Sequence, residues 1–90
     1  MEGDGRAMTA YTYRTIVLEQ LARHGLRPLV GTPPQLLRDA VRDLYKYEIK
    51  SLRSRLLAGR IERRNYAAEV VELRKRYVLL SVPVERWTAD

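Results

Sequence analysis

Between Pro34 and Gly59 the chain runs for 24 residues without a glycine or a proline. Thr32 stands three residues before Gln35, the spacing of a capping box, and Pro33 falls where the first helical residue would be. The pattern predicts one long helix from Pro33 to Ala58, roughly 39 Å long at 1.5 Å per residue. It is the longest element expected, and the rest of the chain must be arranged around it.

On a wheel of about 100° per residue with Leu36 at zero, the apolar positions of this helix change side. Leu36, Leu37, Ala40, Val41, Leu44 and Tyr47 occupy one sector. Tyr45, Ile49, Leu52 and Leu56 occupy another, displaced by roughly 120°. Two different neighbours are therefore expected, an N-terminal helix on the first half and a C-terminal helix on the second.

Residues 1–8, with two glycines and alternating charges, read as a loose start. A first helix is expected from Thr9 to His24, with Tyr13, Val17 and Leu21 at four-residue steps and Gly25 as its left-handed stop. Leu26, Leu29 and Val30 are expected to pin the connector that follows to the core. After Gly59, residues 60–64 form a turn, and Asn65 or a residue just before it caps a third helix. Tyr66, Val70, Leu73, Tyr77 and Leu80 then recur at heptad spacing, which pairs this helix with the long one as a hairpin. Residues 81–90 are expected to fold back as a short irregular tail through Val82, Val84 and Trp87. The fold class expected is all-α, a three-helix bundle forming a single helical domain over residues 1–90.

One stretch resembles a known small module. Gly59, Ile61, Tyr66, Leu79 and Leu80 follow the pattern of the short helical hairpin called SHOCT, over less than a third of the chain. The acidic residues usual between the Ile and the aromatic are replaced here by Arg63, Arg64 and Asn65. The resemblance implies a helical hairpin that takes part in oligomerisation.

Composition narrows the chemistry. With no Cys, thiol catalysis and thiolate metal sites are ruled out, and a single His cannot form a histidine cluster. His24 is expected at the end of the first helix, as an imidazolium meeting the negative end of the helix dipole. Ser51, Ser54 and Ser81 lack the strand–turn–helix setting of a nucleophile. Gly25, Gly31 and Gly59 form no phosphate-binding loop. Glu48, on one helix face with Arg55 where the two apolar stripes meet, is expected in a partly buried ion pair or a water-facing notch, with a perturbed general acid as the sharper role. The first helix carries too few cations for a membrane-surface helix. A non-enzymatic, cytoplasmic protein without cofactor, metal or membrane attachment is expected.

Seventeen basic against eleven acidic residues leave a formal charge of +6. Fourteen of the seventeen are Arg, whose planar guanidinium suits carboxylate and phosphate partners. Arg38, Arg42, Lys46, Lys50 and Arg53 form a slanting band on the long helix, extended by Arg60, Arg63 and Arg64. Two functions follow as expectations. The first is an interaction or assembly module with Tyr45, Tyr47 and Trp87 as anchors, binding a protein partner or a second copy. The alternative is nucleic-acid binding through the basic band, although Asp39 and Asp43 interrupt it and no aromatic lies within it to stack bases.

Overall fold

The structure, a computed structural model, describes residues 10–89; the expected loose start at residues 1–8 lies outside the described residues. The chain is mainly helical. In order it forms β1 (Thr12–Tyr13), α1 (Thr15–Arg23), α2 (Pro34–Leu57), α3 (Arg63–Arg76), two 3-10 turns (Val78–Ser81 and Val84–Arg86) and β2 (Thr88–Ala89). The all-α arrangement of three helices is thus observed, with a two-residue antiparallel strand pair added.

That strand pair moves the start of the first helix. Thr12 pairs with Ala89 and Tyr13 with Thr88, and the Arg14 amide donates to the Trp87 carbonyl at 3.0 Å. These donors are committed to the tail, so helix begins only at Thr15 rather than at Thr9, a residue outside the described set. Tyr13 still turns inward with Val17 and Leu21, as the four-residue spacing requires, but it does so from the strand, and its hydroxyl donates to the Thr32 carbonyl at 2.7 Å.

Both predicted glycine stops form the same closure. The Leu26 amide donates to the Leu21 carbonyl and the Gly25 amide to Ala22, with Gly25 at φ 75°. The Arg60 amide donates to Arg55 and the Gly59 amide to Leu56, with Gly59 at φ 78°. Each is a Schellman closure, and its positive φ favours glycine.

The start of α2 departs from expectation. Pro33 is the N-cap and Pro34 the first helical residue. The Thr32 hydroxyl is taken up inside the connector, where it accepts from the Leu29 amide at 2.9 Å, so no capping box forms. Gln35 instead donates to Asp39 one turn on. At the head of α3 the cap is Glu62, three residues before the expected Asn65, and the Asn65 side chain donates back to its carboxylate.

The swing in the apolar stripe does not occur. The inward face of α2 runs through Leu37, Val41, Tyr45, Ile49, Leu52 and Leu56 at steps of four and three, a continuous stripe. Leu36, Leu44 and Tyr47, which made the stripe look displaced, are exposed. The neighbours along this stripe do change. The N-terminal half meets the two 3-10 turns, and the Arg38 guanidinium donates to the Leu80 carbonyl at 3.0 Å. α3 packs against α2 as the hairpin partner, and α1 packs on the first 3-10 turn. One apolar core holds Val17 and Leu21 of α1, Leu37, Val41 and Leu52 of α2, Leu73 of α3, and Tyr77, Leu79 and Trp87 beyond it.

The described chain is elongated. Its extents are 60 × 21 × 18 Å and its radius of gyration is 17.0 Å, against about 12 Å for a compact chain of this length. A 24-residue helix, about 36 Å long, is too long for the N-terminal core to cover, so its second half leaves with α3 as a two-helix arm.

Candidate interaction site

A two-helix arm buries only one stripe of each helix, and apolar side chains outside that stripe stay in water. On α2 these are Leu36, Leu44, Tyr47 and Leu57; on α3 and the turn after it, Val71 and Val78. Tyr47 is 73% exposed, far more than packing of the chain on itself would leave it.

Some of these residues border a groove of about 630 Å³ between α2, α3 and the first 3-10 turn. Tyr45, Val71, Tyr77, Val78 and Leu80 form its apolar lining, and Arg74, Lys75 and Ser81 border it. Tyr45 packs edge-on against Tyr77, ring centroids 5.2 Å apart, and this contact fixes the floor. Tyr45 also borders a smaller depression of about 500 Å³ on α2, together with Asp43, Lys46, Tyr47, Ile49 and Lys50. The two hollows share Tyr45; Lys46 and Lys50 border the one on α2, and Arg74 and Lys75 border the groove.

The expected band of cations divides. Arg38 is half-buried and holds the tail through Leu80. Arg42 pairs with Asp39 at 3.3 Å, and Arg64 with Glu62 at 3.3 Å. Lys46, Lys50, Arg53, Arg60 and Arg63 are exposed and have no ion-pair partner among the described residues. Of the expected anchors, Tyr47 is on the surface and Tyr45 is half-buried at the groove. Trp87 is not a surface anchor: it is 0% exposed, and its indole N–H donates to the Val82 carbonyl at 3.1 Å. With only a modest core to fill, the largest side chain is the one whose burial removes most apolar area from water.

A second cluster lies at the joint between α1 and the arm. His24, the C-cap of α1, stacks on Tyr77 with ring centroids 4.4 Å apart and planes 23° from parallel. The Tyr77 hydroxyl donates to the Glu48 carboxylate. Glu48 also pairs with Arg76 at 3.6 Å, not with Arg55. These residues and Arg23 line a cleft of about 240 Å³. No single-helix pattern could reveal the cluster, because its members come from three elements; the one signal was Glu48 at the edge of the buried stripe.

The cluster changes the reading of His24. Burial pushes its pKa down, while a backbone hydrogen bond at Arg76 and the charge of Glu48 act in the other direction. Its Nε2 is buried without a hydrogen-bond partner. The neutral ring is favoured over the imidazolium expected at a helix end. A depressed folded-state pKa contributes stability above the unfolded value and loses it as pH falls. Wild type is therefore expected to lose more urea resistance than His24→Phe, which keeps the stacked ring, between about pH 7 and pH 5. Parallel losses in the two proteins would show that His24 titrates as it does in the unfolded chain.

Among the described residues no helix is long and apolar enough to cross a membrane, and no group of three or more His, Cys, Asp or Glu side chains could hold a metal ion. The resemblance of residues 56–80 to the SHOCT hairpin finds no support in a family match. Comparison with protein-family models, with curated proteins and with solved structures returned no match for this chain.

Proposed function

We propose that this chain is a non-catalytic protein-interaction module, and that the groove between α2 and α3 is its contact surface. The observation that carries this reading is the apolar groove lined by Tyr45, Val71, Tyr77, Val78 and Leu80, which shares Tyr45 with the depression that the exposed Tyr47 borders. An aromatic ring left in water beside a lined groove matches how interfaces are anchored, by a few large side chains around a desolvated centre. The elongated arm supports it further, since it presents both helices away from the core. Nucleic-acid binding is less well supported. The band is cut by the Arg42–Asp39 pair and by Asp43, and Arg38 is spent on holding the tail.

The test is recovery of partners from native lysate on immobilised full-length chain, with and without nuclease, comparing wild type with Tyr47→Arg. Because Tyr47 is exposed, the substitution should change stability by less than about 0.5 kcal/mol. Recovery of a bound protein should nonetheless fall roughly tenfold, as for loss of an anchor. Release of all bound protein by nuclease would instead favour the nucleic-acid reading.

A further inference from the structure

The chemistry of the groove's rim narrows what it can hold. Its lining is mainly apolar, yet the charged side chains around the groove and the depression that shares Tyr45 with it are Lys46, Lys50, Arg74 and Lys75 against one carboxylate, Asp43. Lys75 is partly neutralised by Glu72 at 3.2 Å, with both side chains well exposed. Lys46, Lys50 and Arg74 have no ion-pair partner among the described residues. Lys46 and Lys50 thus border one hollow and Arg74 the other, on either side of the shared Tyr45, with Asp43 as the one carboxylate beside them.

We infer that the groove binds an acidic amphipathic helix, whose apolar stripe lies over Tyr45, Val71 and Val78 and whose flanking carboxylates meet Lys46 and Lys50 on one side and Arg74 on the other. This rests on the interaction reading above and adds the partner's chemistry to it. A helix laid in a groove buries side chains at i, i+3 or i+4 and i+7, while its flanks face the rim. Carboxylates on both flanks meet cations here; lysines on the flanks meet like charge, which costs affinity and slows encounter. The same rule argues against a second copy as the occupant. A two-fold contact through this groove would turn the rim of one copy toward the identical rim of the other. The chain's own formal charge of +6 adds to that repulsion.

A displayed library of helical peptides, about 16 residues long with every surface position randomised, can be selected against the full-length chain. Retained peptides should carry apolar residues at helical spacing and an excess of Asp and Glu over Lys and Arg. Their affinity should fall at least roughly tenfold for Lys46→Glu/Lys50→Glu, and again for Val71→Asp. The lysines are exposed and have no ion-pair partner among the described residues, so circular dichroism should show the double variant folded. Retained peptides that depend on Val71 but show no acidic excess would overturn the acidic partner and leave the interaction reading standing. A selection that yields no peptide sensitive to Val71→Asp would overturn both. A duplex DNA or single-stranded RNA probe that outcompetes the selected peptides at low salt, and is itself released by Lys46→Glu/Lys50→Glu, would reassign the rim to phosphate.

Discussion

Trp87→Ala is expected to cost about 3–5 kcal/mol, the range for emptying a large aromatic site in a core. A chain of this size is held together by little more than that, since stabilities run from about 5 to 15 kcal/mol and small domains sit low in the range. Trp87 is fully buried, and three hydrogen bonds meet at it. Its carbonyl accepts from Arg14, its amide donates to Val84, and its indole N–H donates to Val82. Truncation therefore opens a cavity and also loosens the tail that closes the core over α1 and the first half of α2. The melting temperature, followed by far-ultraviolet circular dichroism, should drop by roughly 15–30 °C. Trp87→Phe should cost less, because it keeps much of the volume but leaves the Val82 carbonyl without its donor. A melting point within a few degrees of wild type for the alanine variant would mean that the tail is not part of the cooperative unit.

Tyr77→Phe should show its effect as a dependence on pH. Burial, the hydrogen bond to Glu48 and the Glu48 charge push the Tyr77 hydroxyl up to about 12, with Arg76 opposing. The ring is 5% exposed. A folded-state pKa above the unfolded value of about 10 contributes stability that is fully present below pH 10 and is lost as pH rises toward 12, by up to about 2 kcal/mol. At neutral pH the variant loses a hydrogen bond to a carboxylate, about 1.5 kcal/mol at the low end of its range because Glu48 keeps Arg76 and partial access to water. Wild type should therefore be the more stable protein at neutral pH, and the two urea midpoints should converge above about pH 11. Tyr13, also raised by burial, titrates in both proteins and cancels in the comparison. Curves that stay parallel across that range would show that the Tyr77–Glu48 contact is not held in solution.

Most of the fold was legible because local chemistry decides it. Gly25 and Gly59 stop helices where they were expected to, since only a left-handed residue completes those closures. Of the expected heptad, Tyr66, Val70 and Leu73 lie on α3 and pack on the core, whereas Tyr77 and Leu80 fall beyond its end at Arg76, the first as its C-cap and the second in the 3-10 turn. Errors came where one group has two partners to choose from. Thr32 could cap α2 or close its own turn, and it closes the turn. Tyr13 fits a helical stripe equally as helix or as strand, and only Trp87 and Thr88, far along the chain, decide between them. Leu36 and Leu44 fall in the wheel's apolar sector yet stay exposed, because a wheel records polarity and not the neighbours available.

The site was legible in its parts but not in its assembly. The basic positions and Tyr47 can be read directly, whereas Arg38, a member of the expected band, is half-buried against the tail, and Trp87, an expected anchor, fills the core. The groove itself requires knowing which face of α3 lies beside which face of α2 and where the chain turns after Tyr77. Neither fact belongs to a single element, and neither does the contact between His24, Tyr77 and Glu48.

The pairing of Thr12 with Ala89 and of Tyr13 with Thr88 also sets how the molecule bears load. Tension applied at residues 10 and 89 falls on adjacent ends of a two-residue antiparallel ladder, which parts by peeling one rung at a time. The rungs next in line are the Arg14–Trp87 bond and then the indole itself, while the paired helices beyond lie off the line of force. Pulled in this way, the chain would unzip its tail first and keep the arm folded until the core had opened.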